Sequence, residues 1–266
     1  RGEEWIPTAP VHVIIHNLVS WEPPLFVHLP LVLDPSGKGK LSKRKQVGPD
    51  GREIENLTQV REFRAAGYLP EALFNFLATL GWAISGEQEI FSREEAAAAF
   101  ELTDIKKSPA RFEYDKLEWM NGVYIRSLSP ADLAGRLLPF LREAGFDTTV
   151  DQVEPLVPLI QERIKTLAEA PEMLDFFFAD PRVPAPEELV PKKMTAESTR
   201  DALFMARARL AEVEWSEPAI EQTLRALAEE RGLKAGALFT PIRLAITGKT
   251  VAPPLFETLY CLGREK

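Results

Sequence analysis

The sequence contains one cysteine, Cys261, and only three histidines among its 266 residues. A single thiol cannot build an internal disulfide framework, and it cannot supply the cysteine cluster of a structural zinc site. We therefore expect no metal site in this chain, and we expect a protein of the reducing cytoplasm.

Long apolar runs are also absent from the sequence. No segment approaches the roughly 18 to 20 apolar residues that a helix needs to cross a bilayer, and the start from Arg1 to Trp5 lacks the pattern of a signal peptide. These absences predict a protein without a membrane contact. The sequence does not begin with methionine, so we expect a piece of a longer polypeptide.

Acidic residues outnumber basic residues by 40 to 32, which gives a net charge of −8. An acidic total by itself argues against a nucleic-acid partner, because phosphate binding requires lysine and arginine. The distribution of the charges changes that conclusion. Five basic residues lie within eight positions, namely Lys38, Lys40, Lys43, Arg44 and Lys45. The sequence thus predicts a basic loop on an acidic protein.

The first part of the chain mixes helix and strand signals. An apolar run at 11–15 follows Pro10 and predicts a helix. A second run, Phe26–Leu33, ends at the turn signal Asp34–Gly37 and predicts a strand that leads into the basic loop.

Helical spacing dominates from Pro70 onward. Leu73, Leu77 and Leu80 recur every three or four residues, and Ser92–Glu95 has the pattern of a capping box that begins the next helix. Similar spacing runs through residues 151–178. It also forms three further helical faces: Leu133, Leu137 and Leu141; Thr195–Val213 with Leu203 and Leu210; Ser216–Glu230 with Ile220, Leu224 and Leu227.

We find no strand pattern after about residue 125, so the predicted fold class is mainly α, with a small mixed α/β segment before an all-helical region. Composition changes near Arg126, and four prolines lie between Pro181 and Pro191. These two places divide the chain into predicted domains at 1–126, 127–190 and 191–266.

Lys40 and Lys43 lie three residues apart on a loop flanked by glycine. Two mobile ammonium groups at this spacing can converge on one polyphosphate and stabilise the charge that develops when a phosphate leaves. Without further context the same residues would also suit a solvated basic loop.

The residues around the two lysines supply that context. The string KLSKRK, with PLVLDPSGKG and RGEEWIPTAPVH before it, resembles the signature loop of class I aminoacyl-tRNA synthetases in the form found in bacterial glutamyl-tRNA synthetases. GYLPEALFNFLATLGW, DKLEWMNGVYIR, QERIKTLAE and TPIRLAITGKT are similar to later segments of the same family, in the same order. The resemblance covers essentially the whole chain.

The resemblance implies a site for ATP, with its Mg²⁺, and for glutamate. Lys40 and Lys43 would stabilise the triphosphate as catalytic residues, and Arg1 would hold the carboxylate of the substrate glutamate. The ATP-binding residues implied by the resemblance are Glu4, Trp5, Val32, Lys40, Leu41 and Lys43.

The helical region would then bind the anticodon of tRNA(Glu). The family match implies that Arg163 reads the third anticodon base, that Arg243 makes another contact, and that Pro253 and Leu255 pack on the bases. We expect a cytoplasmic monomer that binds neither DNA nor membrane.

The sequence departs from the family in two respects. No HIGH-type motif or glycine-rich fingerprint occurs, so the Rossmann half that binds most of the ATP is missing, and we expect this chain alone to be inactive. The segment after Lys45 is longer than the family pattern and has an extra turn signal at Gly48–Gly51.

Alternative functions have different sequence requirements. A glutamyl-queuosine enzyme would lack residues 127–266, and a glutaminyl-tRNA synthetase would have β-barrels after the loop. The alternative from another class is a non-catalytic helical RNA-binding or interaction module, which selective binding of tRNA(Glu) would distinguish from a synthetase.

Overall fold

A computed structural model describes residues 1–42, 46–47, 53–54 and 57–265. The chain forms two compact units, Arg1–Ser127 and Leu128–Lys266. The mainly helical fold class predicted from the sequence is confirmed. A division near residue 190 stays a prediction, and Lys43 and the predicted turn at 48–51 lie outside the described residues.

The first unit contains short strands between helices. After a 3₁₀ helix, Glu3–Thr8, its elements in chain order are α1 (Ala9–Leu18), β1 (Val32–Leu33), β2 (Gln46–Val47), β3 (Glu53–Ile54), α2 (Val60–Ala65), α3 (Pro70–Gly81), α4 (Arg93–Ala99), a 3₁₀ helix (Leu102–Asp104), β4 (Ala110–Arg111) and α5 (Tyr114–Ser127). Strands β2 and β3 pair antiparallel, whereas β1 pairs with β4 in parallel. The parallel pairing requires a long crossover, which α2 to α4 provide.

The strand predicted over Phe26–Leu33 is wrong in its length. Only Val32–Leu33 forms a strand, and Leu29 adds an isolated bridge to Gly2. Pro30 between them has no N–H to donate to a ladder, and β4 offers only two residues for pairing. The helix predicted at 11–15 is confirmed as part of α1.

Helix α3 packs mainly against α5 and against an aromatic cluster. The rings of Phe76 and Phe112 meet edge to face with their centroids 4.9 Å apart. Leu73 is buried as predicted, but Leu77 is 46% exposed, because α3 turns Ala72 and Phe76 towards α5 instead. The capping box of α4 is confirmed, since the Ser92 hydroxyl accepts a hydrogen bond from the Glu95 N–H.

A buried asparagine joins three parts of the first unit. The Asn75 side chain oxygen accepts hydrogen bonds from the Phe91 N–H at 3.1 Å and from the Tyr124 hydroxyl at 2.9 Å. Its amide nitrogen donates to the Glu89 carbonyl at 3.0 Å. A buried polar group without partners costs free energy, so this network specifies how α3, α5 and the segment before α4 fit together.

The second unit is helical in its described part. Its helices are α6 (Pro130–Glu143), α7 (Val150–Val153), α8 (Val157–Ile160), α9 (Ala170–Phe178), α10 (Ala196–Glu212), α11 (Glu217–Glu230), α12 (Ala235–Thr247) and α13 (Leu255–Leu262), with 3₁₀ turns at Glu154–Leu156 and Leu167–Glu169. Within the described ranges, no strand follows β4 and no helix is long and apolar enough to cross a membrane.

The helical stretch predicted over 151–178 is divided into α7, α8, α9 and the two 3₁₀ turns. Pro155 and Pro158 lie close together there, and a proline in a helix interior removes a hydrogen bond and clashes with the preceding turn. The linker predicted over Pro181–Pro191 contains neither helix nor strand.

The predicted apolar faces of α6 and α11 are confirmed. All of their predicted residues have 0% exposure: Leu133, Leu137, Leu141, Ile220, Leu224 and Leu227. The prediction for α10 is confirmed only in part: Leu203 and Leu210 pack against the core but are partly buried, whereas Thr199, Ala202 and Ala206 are the buried residues of this helix. Small side chains let α10 approach α11 and α12 closely.

Replacing Asn75 with alanine should lower the free energy of unfolding by about 1 to 3 kcal/mol, because the buried Phe91 N–H loses its acceptor. Urea unfolding followed by tryptophan fluorescence measures the change. Gln88→Ala is the control, since the Gln88 amide bonds to the Ile90 carbonyl from an exposed position, and it should change stability by less than about 0.5 kcal/mol. Equal losses in both variants would contradict the role given to Asn75.

Candidate functional site

The segment 29–33 places the basic loop. The Leu41 N–H donates to the Val32 carbonyl at 2.9 Å, and Leu33 forms an antiparallel bridge with Lys40. On the other side, the Phe112 N–H donates to the Leu33 carbonyl at 3.0 Å. Lys40 and Leu41 therefore lie beside β1, at a fixed register opposite β4.

A tight turn connects β1 to Lys40. The Asp34 N–H donates to the Gly39 carbonyl at 2.8 Å, and the Ser36 hydroxyl donates to the Asp34 carboxylate at 2.6 Å. This hydroxyl, followed by backbone N–H groups of the turn, lowers the pKa of Asp34. Gly37 has φ of +72°, and a Cβ there would meet the Arg111 guanidinium at 2.9 Å. The turn thus requires glycine at this position.

Lys40 contacts Glu4, although 36 positions separate them. The Lys40 ammonium lies 2.5 Å from the Glu4 carboxylate oxygen Oε1. Pairing with Lys40 is the largest cause of the lowered pKa of Glu4. Both side chains are partly accessible, at 56% and 39%, so water screens the pair and an incoming anion can reach the ammonium.

Arg1 and Trp5 form the neighbouring part of this surface. The Arg1 guanidinium lies over the Trp5 ring, 5.0 Å from its centroid, and the backbone nitrogen of Arg1 donates to the Val27 carbonyl at 3.0 Å. Trp5 is 45% exposed. A cation above an exposed aromatic ring can take an anionic group while the ring holds its orientation.

Val32 and Leu41 behave differently from the charged residues. Both are partly buried and pack against the core that contains Phe76 and Phe112. Their exposed remainder offers apolar surface next to Lys40. The described residues thus bring five of the six predicted ATP-site residues into one region, while Lys43 lies outside them.

Sequence reasoning missed two features of this unit. One is Arg111, whose place against Gly37 depends on the pairing of β1 with β4. The other is an apolar cavity of about 840 Å³. Its lining includes Val27, Leu29, Leu31, Phe74, Leu77 and Trp82. The alternation of 27, 29 and 31 is the signal that could have indicated one common apolar face.

The predicted anticodon residues all lie in the second unit, in different settings. Arg163 is exposed in the turn after α8 and is not part of a helix. Arg243 lies on α12, partly buried, and its Nε has no hydrogen-bond partner among the described residues. Pro253 is buried and Leu255, the first residue of α13, is 4% exposed in the core. Of these four residues, only Arg163 has an exposed side chain.

Possible metal ligands are scattered through the molecule. Across the described ranges, no three histidine, cysteine, aspartate or glutamate side chains come together in a group that could hold an ion.

Two sequence families match the chain. Residues 1–119 match the family described as the catalytic domain of class I tRNA synthetases (E and Q), and residues 132–266 match the family described as an anticodon binding domain. The division lies close to the boundary between the two compact units, Ser127 and Leu128.

Curated relatives match over the whole chain. The glutamate–tRNA ligase of Chloroflexus aurantiacus is 46% identical over 277 residues, which cover 100% of this chain and 53% of the relative. The glutamate–tRNA ligase of Roseiflexus sp. is 47% identical over 273 residues and is covered to 52%. The chain thus spans about half the length of the curated relatives that it matches.

Solved structures agree with these sequence matches. A glutamate tRNA ligase from Elizabethkingia meningosepticum, solved in complex with its amino acid, has a TM-score of 0.80 and 28% identity, and the match covers 100% of this chain and 54% of that one. The glutamate–tRNA synthetase of Elizabethkingia anophelis has a TM-score of 0.74 and 27% identity at the same coverage.

Replacing Lys40 with methionine should raise the pKa of Glu4 towards its ordinary value of 4.5, because the ammonium that stabilises the carboxylate is removed. Carbon-13 NMR titration of the carboxyl groups measures this. Glu62 is the control, because backbone N–H groups of Thr58 and Gln59 lower its pKa, and it should not respond.

The sign of the pH effect follows from the direction of the shift. The pair with Lys40 is complete above pH 4.5, the ordinary value for Glu4, and it is lost as the pH falls through the lowered pKa. A Glu4 pKa that is the same in both proteins would show that the two side chains do not pair in solution.

Proposed function

This chain belongs to the class I glutamyl-tRNA synthetase family, and we propose that it provides one wall of the ATP and glutamate site together with the anticodon-binding region. The complete enzyme would join glutamate to tRNA(Glu) through glutamyl-adenylate, with ATP and its Mg²⁺ as substrate. The observation that carries the catalytic part is the contact of Lys40 with Glu4 beside Arg1 and Trp5.

The charged groups of this wall have separate tasks in the proposed reaction. Lys40, and Lys43 in the segment outside the described residues, would bind the triphosphate and stabilise the charge that develops on pyrophosphate as it leaves. Glu4 neutralises Lys40 until the more highly charged triphosphate replaces it. Arg1 would bind the carboxylate of glutamate, while Trp5 limits where its guanidinium can move.

This wall would not suffice for catalysis. The sequence has no HIGH-type motif, and large apolar side chains of the first unit are open to solvent, including Leu18 at 79%, Trp21 at 67% and Leu25 at 80% exposure. An apolar surface of this extent is typical of an interaction face. We propose that the other half of a complete synthetase covers it and supplies the remaining ATP contacts.

The helical unit would select the tRNA. Sequence-specific RNA recognition favours unpaired bases, whose edges side chains can reach, and exposed Arg163 is available for such a contact. Its guanidinium donates hydrogen bonds but cannot accept them. It suits the O2 and N3 acceptors of cytosine, the third anticodon base of tRNA(Glu), and it conflicts with the N1–H and N2–H₂ donors of guanine in tRNA(Gln).

A non-catalytic RNA-binding or interaction module is the alternative, and tRNA selectivity separates the two. Selective binding of tRNA(Glu) supports the synthetase proposal, whereas equal binding of all tRNAs supports the module. The proposal also includes a cytoplasmic monomer that does not bind DNA.

The 266-residue polypeptide should not catalyse glutamate-dependent pyrophosphate exchange, even with tRNA(Glu) present, because Arg1 and Lys40 line only one wall of the site. The assay uses protein purified away from host synthetase, with a Lys40→Met preparation as the control for contamination. Turnover that is present in the wild-type chain and lost in the variant would contradict the incomplete site.

Replacing Arg163 with glutamine should narrow the preference for tRNA(Glu) over tRNA(Gln). One unpaired donor costs about 1 to 3 kcal/mol, so the wild-type preference should be roughly 5- to 150-fold at this contact. Fluorescence anisotropy with both labelled tRNAs measures it. Arg200 is an exposed side chain of α10, so Arg200→Gln removes the same charge and should leave the ratio unchanged. If the Arg163 variant keeps the wild-type preference for tRNA(Glu) over tRNA(Gln), this arginine is an ordinary surface charge.

A further inference from the structure

An ion pair connects the ends of two helices in the second unit. The Lys249 ammonium lies 2.8 Å from the Asp175 carboxylate of α9 and also donates to the Glu172 carbonyl. Only 26% of the Lys249 side chain is exposed. Its two partners lie 74 or more positions away in the sequence, so the contact joins distant parts of the chain.

The residue before this lysine fits closely against the same part of the chain. Gly248 ends α12 with φ of +68°, and a Cβ there would lie 2.8 Å from the Arg182 carbonyl oxygen and 2.9 Å from the Arg182 nitrogen. Backbone atoms cannot move aside as a flexible side chain can. The end of α12 is therefore held against the segment 172–182 by both close packing and charge.

Helix α12 connects this contact to Arg243. The Thr247 hydroxyl donates to the Arg243 carbonyl at 2.8 Å and accepts a hydrogen bond from the Lys249 N–H at 3.2 Å. Arg243 is one helical turn before Thr247. A displacement of Lys249 would thus be transmitted directly to the backbone that carries Arg243.

The opposite side of the contact leads to Arg163. The Glu169 carboxylate accepts hydrogen bonds from the N–H groups of Lys165 and Thr166, which joins the start of α9 to the turn that contains Arg163. Ile164 in this turn is 1% exposed and anchors it in the core. Each link between Arg163 and α9 is thus short and hydrogen-bonded.

We propose that Lys249, Asp175 and Gly248 form a clamp that sets the spacing of Arg163 and Arg243, and that Lys249 and Asp175 are positioning residues for anticodon selection. This proposal rests on the proposed function of the helical unit. A base edge is discriminated only if the donors are held close to the productive geometry. The clamp acts on selectivity without touching RNA.

A direct contact between Lys249 and a tRNA phosphate is the competing explanation. A lysine that binds phosphate contributes to the salt dependence of binding, and removing its carboxylate partner frees the ammonium for RNA. In the clamp, Asp175 is needed as much as Lys249. Neutralising Asp175 therefore lowers anticodon selectivity if the clamp is correct, whereas it favours binding of the Lys249 ammonium to RNA if the contact is direct.

The experiment compares four variants of the 266-residue chain: Lys249→Met, Lys249→Arg, Asp175→Asn and Arg209→Met. Arg209 pairs with Glu230 at 2.9 Å, away from α9, so its variant controls for the loss of one positive charge and one ion pair. Anisotropy with tRNA(Glu), and with the same tRNA carrying guanine as third anticodon base, gives the selectivity ratio and its salt dependence. Circular dichroism verifies folding.

We expect Lys249→Met and Asp175→Asn each to lower the selectivity ratio by roughly 2- to 25-fold, with an unchanged salt slope. Lys249→Arg should restore most of the ratio, and Arg209→Met should retain it. Unchanged ratios in the first two variants would overturn the clamp. A second result would also overturn the clamp and favour direct contact. In it, Lys249→Met lowers the salt dependence of tRNA binding by about the amount expected for one lost phosphate contact, while Asp175→Asn keeps the wild-type selectivity ratio.

Failure of the proposed function gives a separate result. If the wild-type chain binds both tRNAs equally, anticodon selection itself is absent, and the proposed function fails together with the clamp. A selective wild type with unaffected clamp variants rejects the clamp alone.

Discussion

The candidate site in the first unit depends on the hydrogen bonds of residues 29–33. This short segment bonds to three others: Leu29 to Arg1 and Glu3, Val32 to Leu41, and Leu31 and Leu33 to residues 110 and 112. Three stretches that are far apart in the sequence, namely 1–5, 40–41 and 110–112, meet because one backbone segment pairs with all of them. Loss of this pairing would separate Lys40 from Glu4 and Arg1.

Charge and burial have different functions in the two units. In the first unit, the cations Arg1 and Lys40 remain accessible. Glu4 pairs with Lys40, and the Trp5 ring lies under the Arg1 guanidinium, so both cations are positioned in the absence of a ligand. In the second unit, the Lys249 side chain is mostly buried, and its ion pair with Asp175 connects two parts of the structure. The acidic net charge of −8 therefore says little about RNA binding, because the position of each cation determines its use.

Local sequence signals predicted much of the helical structure correctly. The faces of α6 and α11 and the capping box at Ser92 each depend on residues within one or two turns, so spacing along the chain determined them. The errors concern strands and proline-rich stretches. The length of β1 depended on its partner β4, nearly 80 residues later, and Leu77 stayed exposed because α5 packs on another face of α3.

The sequence by itself determined the family resemblance and the mainly helical class, and it supplied the residues proposed for the site, because motif strings and periodicity are local properties of the chain. Only the tertiary structure decided which of these residues meet. It brought Lys40 to Glu4 and Lys249 to Asp175, exposed Arg163 in a turn and buried Leu255 in a core. Contacts of this kind join residues from tens of positions apart, and their free energy depends on packing that no local pattern records.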